Sequence, residues 1–301
     1  MSEYHRPVML EEALQALRIN PEGTYVDATF GGGGHARKIL ERLHSGRLIA
    51  FDQDPDAKNN LPDNDRLVFV EHNFKHLIRF LKLHRALPVD GILADLGVSS
   101  HQIDTGSRGF STRFDAPLDM RMDPNAPVSA RDVVNEYPEE DLADVFYQYG
   151  GLRNSRALAR AVVKARRARH IETTGRLAEI LTPFGGQRPA KFLAKAFQAI
   201  RIEVNQELEA LKELLRQTTE ALKPGGRLVV ISYHSLEDRL VKSYIRYGNF
   251  EGKPETDLYG NLRAPFRPVV RKAIKASEQE ISENPRARSA RLRVGEKIGA
   301  E

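Results

Sequence analysis

The chain contains no cysteine. That excludes disulfides, thiolate zinc sites and Cys-ligated iron–sulfur clusters. It also excludes any mechanism in which a protein thiolate adds to a pyrimidine ring. No apolar run approaches the ~20 residues that a membrane span needs. The N-terminal stretch MSEYHRPVMLEEAL is interrupted by acids at once, so it lacks a signal-peptide pattern, and a soluble cytoplasmic protein is expected. Internal repeats and low-complexity tracts are missing too. Acidic residues are scarce locally rather than overall. Seven Lys/Arg and no acid lie between Gly151 and Ile171, and five and none between Asn261 and Lys275, although the whole chain is only +5. Such blocks suit a polyanionic partner, while ordinary solvated helix faces give the same pattern.

The 301 residues are 41% hydrophobic, enough for about two domains with real cores. TYVDATF from Thr24, RLIAFDQD from Arg47, RLVFVEHN from Arg66 and VDGILADLGVSS from Val89 are apolar runs ending in polar residues. Runs this continuous read as strands of a parallel sheet buried on both faces. The helix GGGGHARKILERL between the first two completes a βαβ unit, so an open α/β sheet is predicted. From about Asp104 to Ile200 no comparable strand occurs. A loop (DTGSRGFSTRFDAPLDMRMDP) leads into helical segments there, which predicts a helical insertion. One long helix, from KFLAKAF to TTEAL, is then expected to stop at KPGG. The strand RLVVISYHS and the helix LEDRLVKSYIRYG resume the sheet. In the tail VVRKAI and SARLRVGEKI are expected to form an antiparallel edge pair.

Ligands of open α/β sheets sit at the carboxyl ends of the strands. After the first strand, Asp27 precedes a G-x-G-x-x-A match at Gly31, Gly33 and Ala36. Glycines there let the backbone turn tightly and approach a ligand. Asp52 ends the second strand, 19 residues beyond Gly33, where a carboxylate can accept both ribose hydroxyls; a helix cap is the other reading. Asn73 and Phe74 after the third strand suit an adenine, although Phe74 serves equally well as core. Asp27 favours S-adenosylmethionine over a dinucleotide, because a pyrophosphate avoids negative charge and an ammonium welcomes it. A nicotinamide-dependent oxidoreductase is the rival reading, and the copurifying cofactor separates the two.

FGGGGH, FDQDP, ADLGVSSHQID, RGFS, PLDMRMD, FQAIRIEVNQEL, SYHSLEDR and ENPRARSARLR occur in the order and spacing of the ribosomal RNA small subunit methyltransferase H family. The chain resembles that family from His5 to about Arg293. It departs at Phe192-Leu193-Ala194-Lys195, where the family often has a Pro-Ala-Thr-Arg-like stretch, and at Gly32, often larger in relatives. The resemblance implies a Rossmann-like class I methyltransferase sheet (α/β) with an inserted all-helical domain. The core is expected over residues 1–105 and 201–301, and the insertion over 106–200. It implies transfer of a methyl group from S-adenosylmethionine to N4 of a decoding-region cytidine of 16S ribosomal RNA; a ribosome-binding assembly factor with a relict cofactor pocket is a further rival, separated by methyl transfer to small subunits. Cofactor contacts are expected at Gly33, Gly34, His35, Asp52, Phe74, Asp95 and Gln102.

An amino group whose lone pair is delocalised must be held in line and its protons accepted. Oxygens near Asp95 and Ser99, with His234 and Ser235 from the later strand, are expected to orient it. His234 is the candidate for the proton lost. Its other reading is a helix-start histidine bonded to backbone, with Ser235 as helix cap. Asp119 and Asp123 are further acid candidates. No metal set is read, since His72 and His76 lack a partner at a telling spacing. An Asp52→Ala change is expected to weaken cofactor binding and leave the fold nearly untouched. Arg153, Arg156, Arg160, Lys164 and Arg167 share one helix face, opposite Leu158, Ala161, Val162 and Ala165. That face is the expected contact for small-subunit RNA phosphates, with the Arg263–Lys275 block as its alternative. A homodimer stays open.

Overall fold

The computed structural model describes residues 7–260 and 262–299. His5, where the resemblance begins, and Asn261 of the basic tail block lie outside them. Among the described residues the strands are β1 (Thr24–Asp27), β2 (Arg47–Phe51), β3 (Leu67–Val70), β4 (Val89–Asp95), β5 (Leu222–Ser232), β6 (Phe266–Pro268) and β7 (Arg291–Lys297). They form one sheet in the order β3-β2-β1-β4-β5-β7-β6. β1 to β5 are parallel, and β7 runs antiparallel between β5 and β6. This is the Rossmann-like class I arrangement that the resemblance implied. The four early strands start and end close to where their apolar runs do.

In chain order the helices are α1 (Leu10–Leu17), α2 (Gly34–Arg42), α3 (Leu77–Leu83), α4 (Ser100–Asp104), α5 (Ala130–Glu136), α6 (Glu139–Gln148), α7 (Ser155–Ala168), α8 (Thr174–Leu181), α9 (Pro189–Asn205), α10 (Glu207–Ala221), α11 (Ser235–Tyr247) and α12 (Glu278–Glu283). Among the described residues no helix is long and apolar enough to cross a membrane. The chain divides into two compact units, residues 1–97 with 208–301 and residues 98–207.

In the first unit the sheet buries both faces. Val26, Ile49, Ile92 and Val230 point into one core with residues of α3, α10 and α11. Tyr25, Leu48, Leu93 and Val229 point into the other with residues of α1 and α2. Side chains alternate between faces along a strand, so Asp27 shares the face of Tyr25, Asp52 that of Ala50, and Asp95 that of Leu93. The three carboxylates at the strand ends therefore emerge on one side, toward the face that carries α1 and α2.

The second unit is helical, as expected, with its own core of Leu118, Val133, Phe146, Leu158, Val162 and Ile200 among others. Its α7 carries Arg153, Arg156, Arg160, Lys164 and Arg167 exposed. Arg153 lies in the turn before the helix. The face opposite is built from Leu158, Ala159, Val162 and Val163; Ala161 and Ala165, expected there, are only half-buried. Arg166 is not part of a solvated face. It donates to the Val134 carbonyl at 2.8 Å and the Tyr137 carbonyl at 2.7 Å, tying α7 to the end of α5.

Two elements differ from expectation. The single long helix is broken at Gln206, which adopts a left-handed φ of 50°. Asn205, the last residue of α9, is tied to a distant loop: its Nδ2 donates to the Met120 carbonyl at 2.8 Å and its Oδ1 accepts from Met122 N–H at 2.7 Å. Arg201 grips Glu207 across the break through two hydrogen bonds of 2.8 and 2.9 Å. In the tail, the expected edge pair forms differently. SARLRVGEKI supplies β7, but β7 is inserted beside β5, and the edge strand is Phe266–Pro268 rather than VVRKAI. Ile274 makes only an isolated bridge to Leu292. Pro268 suits a sheet edge, where its missing N–H costs no ladder bond.

Candidate active site

The glycine loop follows β1 directly. Gly31 and Gly33 have left-handed φ of 51° and 73°, which glycine adopts without strain. A Cβ at Gly33 would lie 2.8 Å from Phe30 Cζ, so that position has no room for a side chain. Gly34 opens α2, and a Cβ there would meet Pro7 Cγ at 2.2 Å; its smallness is used against the chain's own Pro7.

Asp52 is held by the loop it faces. Its Oδ2 accepts from Gly31 N–H at 2.7 Å and its Oδ1 from Asp54 N–H at 2.9 Å. Burial pushes its pKa up to about 6 against the effect of these bonds. The cap of the following short helix is Asp54, whose side chain accepts from Asp56 N–H at 3.1 Å, so the capping reading belongs to Asp54 and not to Asp52. Phe74 is half-buried in the helical turn after β3 and packs on the sheet core. Asn73 beside it donates to Gln53 Oε1 at 2.7 Å, so the amide proposed for a base edge is joined to the residue after Asp52.

Asp27 is fully buried. Its Oδ1 accepts from Thr29 N–H at 3.1 Å, while Oδ2 has no hydrogen-bond partner. Burial, with a contribution from the Asp52 charge, pushes its pKa up to about 7. Asp95 is gathered from three elements. Tyr233 Oη donates to its Oδ1 at 2.7 Å, its own N–H donates to Thr29 Oγ1 at 2.7 Å, and His35 Nδ1 lies 3.8 Å from its Oδ2. Burial raises the Asp95 pKa to about 7 against the Tyr233 bond, and the Asp27 charge adds to the rise. His35 is buried, and burial lowers its pKa to about 4. Its Nε2 sits 3.2 Å from the Val8 carbonyl. A carbonyl needs a donor, so the neutral ring carries its hydrogen on Nε2 and presents Nδ1 toward Asp95.

The later strand end brings His234 and Ser235 into the same unit. His234, not Ser235, is the cap of α11. Its Nδ1 accepts from Glu237 N–H at 3.4 Å, and Glu237 Oε2 returns to the N–H groups of Tyr233 at 2.9 Å and His234 at 3.3 Å. His234 Nε2 lies 3.2 Å from Glu237 Oε1. Ser235 is exposed at the first helical position. Glu237 is itself buried, so this carboxylate is spent on fixing the turn between β5 and α11.

Ser99 and Gln102 belong to the second unit. They cap α4 reciprocally: Ser99 Oγ accepts from Gln102 N–H at 3.2 Å and Gln102 Oε1 from Ser99 N–H at 3.0 Å. Asp119 in that unit is held by Arg121 through hydrogen bonds of 2.9 and 2.7 Å. Burial raises the Asp119 pKa, but the Arg121 bonds outweigh it and leave the group below its ordinary value. Asp123 accepts from Asn125 N–H at 2.9 Å. Both acids shape the loop's turns.

Tyr233 and Thr29 were not among the expected site residues. Tyr233 is placed by a strand pairing that no local pattern shows: Asp95 pairs with Ile231, and two residues further along the chain the side chain returns to the same face.

The arrangement suits a cationic, adenosine-bearing ligand. It offers a glycine turn, a backbone-anchored carboxylate at Asp52, and a buried oxygen of Asp27 with no hydrogen in reach. An ionised buried carboxylate costs several kcal/mol unless it is paired, and a bound cation is such a pair. These features fit S-adenosylmethionine.

A model of the MraW methylase family matches residues 2–298. Ribosomal RNA small subunit methyltransferase H of Bacteroides fragilis YCH46 is 59% identical over 296 residues, which cover 98% of this chain and 97% of that one. The protein of the same name from Bacteroides thetaiotaomicron is 58% identical over 98% of this chain and 97% of its own. That of Christiangramia forsetii is 54% identical over 99% of each. Taken with the strand-end acids and glycine turn, this full-length likeness means that the chain belongs to the MraW methylase family, methyltransferases whose methyl donor is S-adenosylmethionine.

Proposed function

We propose that this chain methylates the N4 amino group of a specific decoding-region cytidine in 16S ribosomal RNA. The reading places it in the cytoplasm with its substrate. The names of its relatives supply the small-subunit RNA. The observation that carries the choice of acceptor atom is a cysteine-free chain whose β4 and β5 ends present oxygen acceptors. Methylation at ring carbon five normally runs through a thiolate adduct, which this chain cannot form. An exocyclic amine needs instead partners that accept its two N–H groups while its lone pair attacks.

Bound S-adenosylmethionine supplies an electrophilic methyl group on a sulfonium. Asp27 Oδ2 is suited to its positive charge, Asp52 to its ribose hydroxyls and Phe74 to its base. Asp95 is suited to accept an N–H of the incoming amine, with Tyr233 fixing which oxygen is free. Its raised pKa places it where a group can take a proton near neutral pH. His234 and Ser235 stand at the start of α11 to orient the base. Arg156, Arg160, Lys164 and Arg167 on α7, with Arg153 in the turn before it, are proposed to contact RNA phosphates.

The test is to incubate the protein with labelled S-adenosylmethionine and small subunits lacking the modification, then to map the labelled nucleotide and atom. Label on one decoding-region cytidine N4 supports the reading. Label on another base or atom, or none, overturns it.

A further inference from the structure

The segment before α1 lies against the end of the glycine loop, and α12 holds it there. Pro7 is set against Gly34, where a Cβ would meet its ring at 2.2 Å. Met9 then takes a left-handed φ of 52° with its side chain fully buried. That conformation is unfavourable for a residue with a Cβ and persists where its surroundings impose it. Met9 N–H donates to Glu280 Oε1 at 2.6 Å, across 271 residues of sequence. Glu280 is in turn fixed in the first turn of its helix. Its own N–H donates to Ser277 Oγ at 3.1 Å, and the next residue, Ile281, packs on the core that α1 and α2 share.

The same peptide group acts on the site from its other side. The Val8 carbonyl and the Met9 N–H belong to one planar peptide and point in opposite directions. The carbonyl takes His35 Nε2 at 3.2 Å, and the N–H is taken by Glu280. Glu280 therefore sets the orientation of the carbonyl that decides which nitrogen of His35 carries the hydrogen. With Nε2 so occupied, Nδ1 keeps a lone pair 3.8 Å from Asp95 Oδ2. That is too far for a hydrogen bond between the two, which leaves the Nδ1 acceptor for a ligand. A neutral imidazole nitrogen accepts, and S-adenosylmethionine has an ammonium that donates. Glu280 also lies close enough for its charge to act at the strand ends. Burial is the main cause of the raised pKa of Asp95 and of Tyr233, and the Glu280 charge adds to both.

We infer that Glu280 is a positioning residue for S-adenosylmethionine: through the Val8–Met9 peptide it holds His35 with Nδ1 turned to the cofactor. It acts through the ring rather than on the cofactor itself. This rests on His35 as a cofactor contact. No RNA enters the test, so its failure leaves the reading of the methyl acceptor untouched.

The test is a mutant cycle read by calorimetry of S-adenosylmethionine binding. It compares wild type with Glu280→Ala, His35→Ala, both together, and Glu280→Gln. Glu280→Ala is expected to bind about tenfold more weakly at unchanged stoichiometry. A variant that only loses folded protein lowers the stoichiometry and not the affinity of what remains. Glu280→Gln keeps an acceptor for Met9 N–H and is expected within about threefold of wild type. In the His35→Ala background the Glu280→Ala change is expected to cost no further affinity, because its effect passes through the ring. Wild-type affinity in Glu280→Ala overturns the inference. Additive losses in the double variant overturn it too, as does a glutamine variant as weak as alanine, which would make the charge and not the position matter. Wild-type affinity in His35→Ala removes His35 from the cofactor and the inference with it, while Asp27 and Asp52 keep their assignments.

Discussion

Tyr233 donates its phenolic hydrogen to Asp95 at 2.7 Å, joining the carboxyl ends of β5 and β4. One Asp95 oxygen is thereby occupied and the other left to face His35. Hydrogen bonds to a charged group contribute about 1.5–3 kcal/mol, so Tyr233→Phe should destabilise the fold by about 1–3 kcal/mol in urea unfolding. Burial holds Asp95 near pKa 7, and the Tyr233 bond pulls it down. Without that bond its pKa should rise further. The acid limb of the rate–pH profile should then move upward, a shift that a purely structural loss would not give.

The strand-end acids also make stability pH-dependent. Burial raises Asp27 to about 7 in the folded protein, against about 3.9 for a free aspartate. Between those values the native state holds a proton that the unfolded chain has lost. The stability contributed by protonation is therefore complete below about pH 4 and is lost as pH rises through 7. Asp27→Asn cannot lose that proton. Relative to wild type it should gain about 1 kcal/mol for each pH unit between about 5 and 7. Urea unfolding of both proteins at pH 5, 6 and 7 measures the difference; a constant gap would show Asp27 to be ionised throughout.

Asp52 requires a change to its expected mutant behaviour. An Asp52→Ala chain loses the acceptor for Gly31 N–H as well as that for Asp54 N–H. Alanine should therefore cost about 1–3 kcal/mol of stability in addition to weakening cofactor binding. Asp52→Asn keeps an acceptor for one of the two groups. It should melt closer to wild type while S-adenosylmethionine affinity by calorimetry falls about tenfold or more. Undiminished affinity in the asparagine variant would remove Asp52 from the ribose.

These cases show what could be seen in the sequence. The acids at the strand ends were legible because the strands are continuous apolar runs, and a polar residue that ends such a run sits at the sheet's carboxyl edge. Hidden from that reading was who holds each acid. Asp95 is gripped by Tyr233 and Thr29 from two other strand ends, pairings that depend on which strands are neighbours. The break at Gln206 was invisible because an apolar helical period runs through it, whereas the side chain of the neighbouring Asn205 is tied to Met120, 85 residues away. The insertion of β7 beside β5 was missed for a related reason. A strand's own pattern shows which of its faces are buried, not which strand lies beside it.

His234 is both cap and candidate for the chemistry, and one substitution separates the roles. Asparagine is a strong cap, so His234→Asn should keep the start of α11 and lose less than about 1 kcal/mol. Alanine should lose about 1 kcal/mol. If the imidazole orients the acceptor or handles its proton, the asparagine variant should slow methyl transfer about 100-fold with calorimetric cofactor affinity unchanged. A full-rate asparagine variant would leave His234 as a helix cap alone.

The exposed cations of α7 are open to a salt test. Arg156 and Arg160 are both exposed, and Arg160 has only a loose pairing with Glu139 at 3.6 Å. Exposed pairs of this kind contribute ~0–1 kcal/mol, so reversing the two arginines should leave the melting temperature nearly unchanged. If they meet RNA phosphates, each neutralised phosphate releases counterions, and the slope of log affinity against log salt carries about 0.7–0.9 per phosphate. Arg156→Glu/Arg160→Glu should flatten that slope by about 1.4–1.8, the share of two phosphates, and weaken binding to small-subunit RNA most at low salt. S-adenosylmethionine affinity should not move, because these residues lie in the helical unit and not at the strand ends that carry Asp27 and Asp52. A double variant that binds and methylates small subunits like wild type across the titration would clear α7 of this role. The RNA surface would then have to be sought along the exposed cations of the Arg263–Lys275 block.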